Sequence, residues 1–512
     1  MINEKKSLGL FSVVSLKFFT VFPEYFISIS IIYILTVVLL ISYSVYGLIL
    51  QKAVSETMVF VLLMACYLLV NDDLLALNFL SFNNSIINDY FAFFTKFVVC
   101  ATSAMYFLFI ADSLKYQRIT SFEYLLVLMF AVLGLMLLCS SNDLLTAYLA
   151  IELSALSFYV LASFKKSSNY SVEGGIIYFV TGAVSSAFFL FGSSYIYGAT
   201  GTINFTDLAD LFSLSFNKAD LYNGSFDYSF IELGLTLILF SLFIKLALAP
   251  FHLWSLDVYE GSPTSSTFFF AVVAKLSVFV LLVRLCYSSF FNLNDCWQFY
   301  SLWVGVFSIF VGSFGGLKQR KLKTILAYSS TSHMGYALIA FSTSTFEGVQ
   351  MLLFYLVIYM ISGLCVWSIM SFLRLKKKKF DRKHNKELGD LALLKNSNKG
   401  LSLCFSLAMF SIAGIPPMIG FLAKAGIFLS VVGISFYLVA LISILFSVVS
   451  TFYYIRVIKV LYFENLLVGK LYHPIDTKKP VVLSVLIFSL TFLFIYPTAL
   501  YLTNYKTILS LL

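Results

Sequence analysis

Charge is scarce in this chain: 12% of its 512 residues are Asp, Glu, Lys or Arg, against about 25% in a soluble domain. Hydrophobic residues make up 60%, so the chain reads as an all-α integral membrane protein built mostly of spanning helices. Ten-residue segments that alternate apolar and polar are missing, which excludes an outer-membrane barrel. Paired cysteines are missing too. Cys66, Cys100, Cys139, Cys286, Cys296, Cys365 and Cys404 stand singly, mostly in apolar runs, with no CxxC and no Cys/His cluster. That pattern supports neither a disulfide framework nor an iron–sulfur or zinc site, and casts the cysteines as small buried hydrophobes. The apolar stretch after the basic start MINEKK is short and interrupted, and no small-residue cleavage pattern follows, so no signal peptide is expected. The formal charge of +9 points to no nucleic acid, because topology accounts for it. Phe and Tyr are abundant, at 56 and 32, and Lys far outnumbers Arg, a bias that fits an AT-rich organelle genome.

Apolar runs of about 20 residues place spans near 25–50, 57–71, 91–111, 122–140, 143–164, 173–198 and 231–254. Further spans fall near 264–289, 299–317, 323–342, 346–373, 400–432, 434–462 and 480–504, about 14 in all. An even count puts Lys52, Lys115, Arg118, Lys165, Lys166, Lys318–Lys323, the run Arg374–Lys399 and Lys470/Lys478/Lys479 on one face. Lys5, Lys6, Lys17, Lys218 and Lys506 remain on the other, beside the acidic loop of Asp207, Asp210, Asp220 and Asp227. The positive-inside rule makes the basic face cytoplasm or matrix. The polybasic segment there is a retained loop, with contact to anionic lipid as a second reading.

The stretch Phe243–Ser277 organises the rest: two apolar segments each carry a lone lysine, Lys245 and Lys275. Pro250, His252, Asp257, Glu260 and Pro263 lie between them. An ammonium near a bilayer centre costs about 2.5–3.5 kcal/mol on insertion scales, so such residues mark pathways or sites. Pro250 frees a carbonyl in the lysine's own helix, tolerated at depth only where protein or a water-filled cavity satisfies it. A kinked structural helix with a snorkelling lysine competes, and the long apolar flanks around Lys245 argue against it. Glu152, His333 and Lys424 also interrupt apolar runs, and Lys424 follows the double proline Pro416–Pro417. Two proline-broken helices in corresponding halves point to inverted repeats with sites near the midplane.

A desolvated lysine gives up its proton more readily, and a neighbouring carboxylate restores its hold. Glu152 with Lys245 would make such a switch, with Lys275 as acceptor, His333 as relay and Lys424 as exit group. Ser329, Ser330, Thr331 and Ser332 are candidates for holding waters. Each residue also has a plain structural reading. Glu152 and Lys275 pair with neighbouring helices, His333 is a satisfied core histidine, and Lys424 is a snorkelling end residue. His252 is balanced between bonding the broken helix and carrying protons. Asp257 and Glu260 read as caps or anchors in a short loop.

The segments IELSALSFYVLASFKK, PFHLWSLDVYEGSPT, AKLSVFVLLVR, LKTILAYSSTSHMGY, AGIPPMIGFLAK and TFYYIRVIKVLYF run in order between about residues 122 and 465. With that spacing the chain resembles the antiporter-like subunits of NADH–quinone oxidoreductase, respiratory complex I, the FHLWSLDVYEGSPT form being closest to the subunit 2 type. The first hundred or so residues match only in being apolar. The resemblance implies about 14 helices with two inverted five-helix repeats and breaks at Pro250 and Pro416/Pro417. Residues 1–120 would be an N-terminal three-helix segment, 121–290 and 291–470 the two repeats, and 471–512 a C-terminal helix. It further implies proton translocation, with Glu152, Lys245, Lys275 and Lys424 as pathway positions and His252 and His333 as accessories. No cofactor or metal is implied in this chain; NADH, FMN, iron–sulfur clusters and ubiquinone would belong to partner subunits. Its partners would be other membrane-arm subunits, further antiporter-like ones among them, and lipids such as cardiolipin. Its place would be the mitochondrial inner membrane, or alternatively a bacterial plasma membrane. One position departs: after VEGG, where many bacterial relatives carry a lysine, this chain has Ile177. A subunit of a multisubunit cation/proton antiporter, or a protein that only braces its neighbours, are the competing functions. The YEGSPT loop argues against the first and the buried charges against the second.

Overall fold

The structure is a computed structural model and describes residues 21–41, 47–72, 79–214, 228–373, 387–392, 394–464 and 478–511. Lys5, Lys6, Lys17, Lys218, Asp220, Asp227, Lys470 and the basic run 374–386 lie outside the described residues. The chain is helical because backbone polar groups in hydrocarbon must be satisfied within their own segment. Serine and threonine hydroxyls fit the same logic, most of them donating to a carbonyl one turn back along their own helix.

The first helices are α1 (Phe22–Ile41) and α2 (Gly47–Asp72), followed by a small antiparallel hairpin, β1 (Phe79–Ser81) with β2 (Ile86–Asn88). Then come α3 (Tyr90–Gln117), α4 (Glu123–Ser140), α5 (Leu144–Ser163), α6 (Asn169–Thr200) and the short α7 (Phe205–Leu214). The first broken unit is α8 (Tyr228–Leu246) with α9 (Leu253–Gly261). Next are α10 (Thr264–Val272), α11 (Ala274–Val283) with a π turn to Ser289, α12 (Asn294–Leu317), α13 (Leu322–Phe341) and α14 (Phe346–Phe372). The second broken unit is α15 (Lys399–Ala413) with α16 (Ile419–Gly433). The described chain closes with α17 (Tyr437–Tyr462), α18 (Lys478–Ile495) and α19 (Thr498–Leu509). Among the described residues, 11 helices are long and apolar enough to cross a membrane, or 12 if the pair α18–α19, bent by 83°, counts as one span.

Two expected spans carry the breaks that their prolines announce, 231–254 after Leu246 and 400–432 after Ala413, while 480–504 is also interrupted, after Ile495. The helix α2 also begins well before the expected 57, because unbroken apolar composition does not mark a turn between α1 and α2. The segment holding Asp257 and Glu260, expected as loop, is the helix α9.

The helix α14 is the hub, with 94% of its apolar window buried against neighbours from both halves of the chain. Small residues let neighbouring backbones close in, Gly192 meeting Gly234 between α6 and α8, and Gly305 meeting Gly335 between α12 and α13. The basic face is tied by side chains. Glu260 pairs with Lys321, Lys323 donates to the Ser262 carbonyl at 2.7 Å, and Arg456 donates to the Leu317 carbonyl at 3.1 Å. At the opposite face Asn142 and Asn204 both donate to the Asn84 carbonyl, at 2.8 and 3.0 Å, fastening the hairpin to the turns before α5 and α7.

Candidate functional site

Each proline break leaves carbonyls without their helical donors. In the first, Ala247 takes φ +57°, the Leu248 amide donates to the Phe243 carbonyl at 3.1 Å, and the Trp254 indole donates to the Ile244 carbonyl at 3.0 Å. Tyr178 stacks on Trp254 with ring centroids 4.7 Å apart and holds the indole in place. In the second, Gly414 takes φ +80°, and the Lys424 ammonium donates to the Ala413 carbonyl, the last of α15, at 2.8 Å. Lys245 likewise sits in the last turn of α8, at that helix's carbonyl end. The Lys424 ammonium therefore meets the negative end of a half-helix, which favours a cation there.

Lys275 is different. It is 5% exposed, lies at the start of α11, and its Nζ has no hydrogen-bond partner among the described residues. It lies over the face of Tyr359, 5.5 Å from nitrogen to ring centroid. Lys424 lies over Tyr336 at 5.4 Å. Between them is His333, 4% exposed, with Nδ1 at 2.5 Å from the Tyr355 hydroxyl and Nε2 at 3.0 Å from the Tyr454 hydroxyl. The Tyr359 ring lies beside it at 5.4 Å, and the charges of both Lys275 and Lys424 bear on it. A histidine with a hydroxyl on each ring nitrogen can take a proton on one side and give one up on the other.

The Glu152–Lys245 pair read from the sequence is open. Lys245 donates instead to the Tyr159 hydroxyl at 3.5 Å, while Glu152 Oε1 is buried without a hydrogen-bond partner and acts on Lys245 through its charge. Tyr159 lies two turns after Glu152 on the same face of α5. His252 ends the first break at the N-cap of α9, 9% exposed, its Nδ1 unbonded and its ring 6.4 Å from Tyr328. Thus Lys275, His333 and Lys424 gather in one place, Glu152 and Lys245 in an adjoining one, and His252 at the break. Glu260 is a surface anchor on Lys321. Ile177 is half-buried on α6 and packs against the core. The hydroxyls of Ser329, Ser330, Thr331 and Ser332 all donate to backbone carbonyls three residues back, so only their acceptor sides remain for water. Among the described residues no group of three or more His, Cys, Asp or Glu side chains could hold a metal ion.

The sequence reading missed the tyrosines. With 32 in the chain, no signal separates Tyr355 or Tyr454 from the rest; only the spacing of Tyr159 from Glu152 offered one. It also missed two buried ion pairs, Lys96–Glu24 at 2.5 Å and Arg284–Asp89 at 2.9 Å. Lys96 and Arg284 are lone charges in apolar runs, the same signal that marks Lys245.

Residues 141–450 match the family described as NADH:quinone oxidoreductase/Mrp antiporter, TM. The chain is 37% identical to NADH-ubiquinone oxidoreductase chain 2 of Marchantia polymorpha, over 85% of this chain and 86% of that one. It is 36% identical to NADH-quinone oxidoreductase subunit N of Pelagibacter ubique, over 87% of this chain and 89% of that one. A chain of respiratory complex I from Thermus thermophilus with bound Aureothin shares the fold, with a TM-score of 0.75 at 24% identity over 94% of this chain and 98% of that one. A chain of the Mrp complex from Dietzia sp. DQ12-45-1b shares it too, with a TM-score of 0.77 at 17% identity over 96% of this chain and 97% of that one. The family match over most of the chain, together with relatives more than 30% identical over most of their length, places it plainly: the chain belongs to the NADH:quinone oxidoreductase/Mrp antiporter family, alongside NADH-ubiquinone oxidoreductase chain 2 and its bacterial counterpart subunit N.

Proposed function

We propose that the chain is a proton-translocating membrane-arm subunit of NADH:ubiquinone oxidoreductase, moving protons along Glu152, Lys245, Lys275, His333 and Lys424. The observation that carries this reading is Lys275, an enclosed ammonium with no hydrogen-bond partner, near enough to His333 for its charge to bear on it. A cation so placed gains nothing as a brace. A proton leaving Lys275 is taken by His333 on one ring nitrogen, and His333 releases the proton it holds on the other through a tyrosine hydroxyl toward Lys424. Lys424 then lets go of the Ala413 carbonyl as the exit group. On the other side, the approach of Glu152 to Lys245 past Tyr159 sets how tightly Lys245 holds its proton. His252 is an accessory group at the break. Asp257 is a helix-borne acid beside it.

In this reading α13, the broken α15–α16 and the bent α18 complete 14 spans in two inverted five-helix repeats. The units are 1–120, 121–290, 291–470 and 471–512. Redox chemistry, with NADH, FMN, iron–sulfur clusters and ubiquinone, belongs to other subunits of the complex. Neighbouring membrane-arm subunits and cardiolipin cover the lateral faces, in the mitochondrial inner membrane or its bacterial equivalent.

The test starts with a native gel of mildly solubilised membranes, stained for NADH dehydrogenase activity and read by peptide mass spectrometry. The chain is expected in the active high-mass band, and migration elsewhere favours a cation/proton antiporter. In the assembled complex Glu152→Gln or Lys245→Met should lower proton pumping and coupled quinone reduction together. Normal pumping in either assembled variant rejects the mechanism.

A further inference from the structure

Two buried ion pairs lie outside the lysine–histidine row, where the N-terminal helices meet the Lys275 helix. Lys96 of α3 pairs with Glu24 of α1 at 2.5 Å, the side chains being 1% and 3% exposed. Arg284, in the π turn that ends the Lys275 helix, pairs with Asp89 at 2.9 Å, both 3% exposed. Cys139 of α4 lies within reach of both, its thiol under the charges of Lys96, Arg284 and Glu24 and its carbonyl accepting from Arg284 at 3.5 Å.

The two pairs differ in kind. Asp89 also caps α3, accepting from the Ala92 amide at 2.7 Å, and arginine keeps its charge throughout, so this pair is fixed. Apart from their mutual contact, both oxygens of Glu24 and the nitrogen of Lys96 lack any hydrogen-bond partner among the described residues. A buried pair acting as a brace needs its remaining lone pairs and protons satisfied. This one is a single proton transfer from neutrality. Lys96 is seven residues inside Asp89, about 10 Å along the helix, and Arg284 is nine residues beyond Lys275, about 13 Å. The pair therefore lies between the level of Lys275 and the face opposite the basic loops.

Resting on the proton-translocating reading above, we propose that Glu24–Lys96 is a further proton-holding site that delivers protons to the face opposite the basic loops. The Lys96 ammonium gives a proton to the Glu24 carboxylate, breaking N–H and forming O–H, which leaves an amine and a carboxyl. Glu24 then loses that proton to water at the opposite face. A proton arriving from Lys275 restores the Lys96 ammonium and the pair.

The test uses the intact complex in proteoliposomes and reads protons moved per NADH oxidised for Lys96→Arg, Glu24→Gln and, as a reference, Lys245→Met. Lys96→Arg keeps the charge and the pair but cannot give up its proton. It is expected to assemble, to oxidise NADH normally with a water-soluble acceptor, and to lose part of the proton ratio, as is Glu24→Gln. An unchanged ratio in Lys96→Arg beside a lowered one in Lys245→Met overturns this site alone. An unchanged ratio in Lys245→Met overturns the reading beneath it. Failure of both Lys96→Arg and Glu24→Gln to assemble makes the pair a brace and overturns the proposal too.

Discussion

At the scale of single residues, the chemistry depends on what each charge is denied. Among the described residues Lys275 and Glu152 lack the partners that a structural ion pair would supply, whereas Lys424 donates to the Ala413 carbonyl and Lys245 to the Tyr159 hydroxyl. Outside the spans, Asp143 shows the cost of an uncompensated carboxyl. Burial, and then the charge of Asp207, push it up to about 6, and its Oδ1 has no partner. A carboxyl raised in the fold keeps its proton where the unfolded chain has released it. It therefore favours the fold at acid pH, and that advantage is lost as pH rises from about 4 to about 6. Asp143→Asn should raise the thermal midpoint near neutral pH, by a modest amount because the site is half exposed, and flatten the profile between those values. A midpoint unchanged at neutral pH would contradict this. The residue types were legible, since a charge in an apolar run is costly enough to be noticed. Their partners were not, because tyrosine is too common here for any one to stand out.

At the scale of elements, the two broken helices do the positioning. Prolines at 250, 416 and 417 announce both breaks in the sequence, but not how each is repaired: by an indole in one and by the lysine itself in the other. Gly414 makes the second repair possible. Its φ of +80° suits glycine, and a Cβ there would come within 2.8 Å of the Lys424 side chain. Gly414→Ala should cost about 1–2 kcal/mol in the left-handed region and push Lys424 off the Ala413 carbonyl. A lower thermal midpoint with reduced pumping in the assembled complex is expected; normal pumping would show that the carbonyl contact is dispensable. The helix α9 was hidden from the sequence, because its nine residues carry two acids and a tryptophan and read as loop.

At the scale of the whole molecule, the row of charges draws on helices far apart in sequence. Lys275 of α11 lies over Tyr359 of α14, and its charge acts on His333 of α13 together with that of Lys424 of α16. Residues sharing a partner couple, so the pumping losses of Lys275→Met and Lys424→Met should not add in the double variant. Strict additivity measured in the same proteoliposomes would mean two independent paths. Leu145, Leu149, Leu156 and Val160 on α5, with Leu438, Leu441, Leu445, Val448 and Phe452 on α17, expose apolar faces to lipid or neighbouring chains.

The sequence by itself determined that the chain is helical and lies in a membrane, where two of its helices break, and which residues interrupt apolar interior. Each of these follows from local composition, because hydrocarbon penalises an unpaired backbone or a stray charge wherever it occurs. Only the tertiary structure decided that Lys245 donates to Tyr159 rather than pairing with Glu152, that two tyrosines bracket His333, and that Arg284 meets Asp89 across 195 residues of sequence. Such partners come from different helices, and helix packing is set by the fit of many small apolar contacts rather than by any one residue.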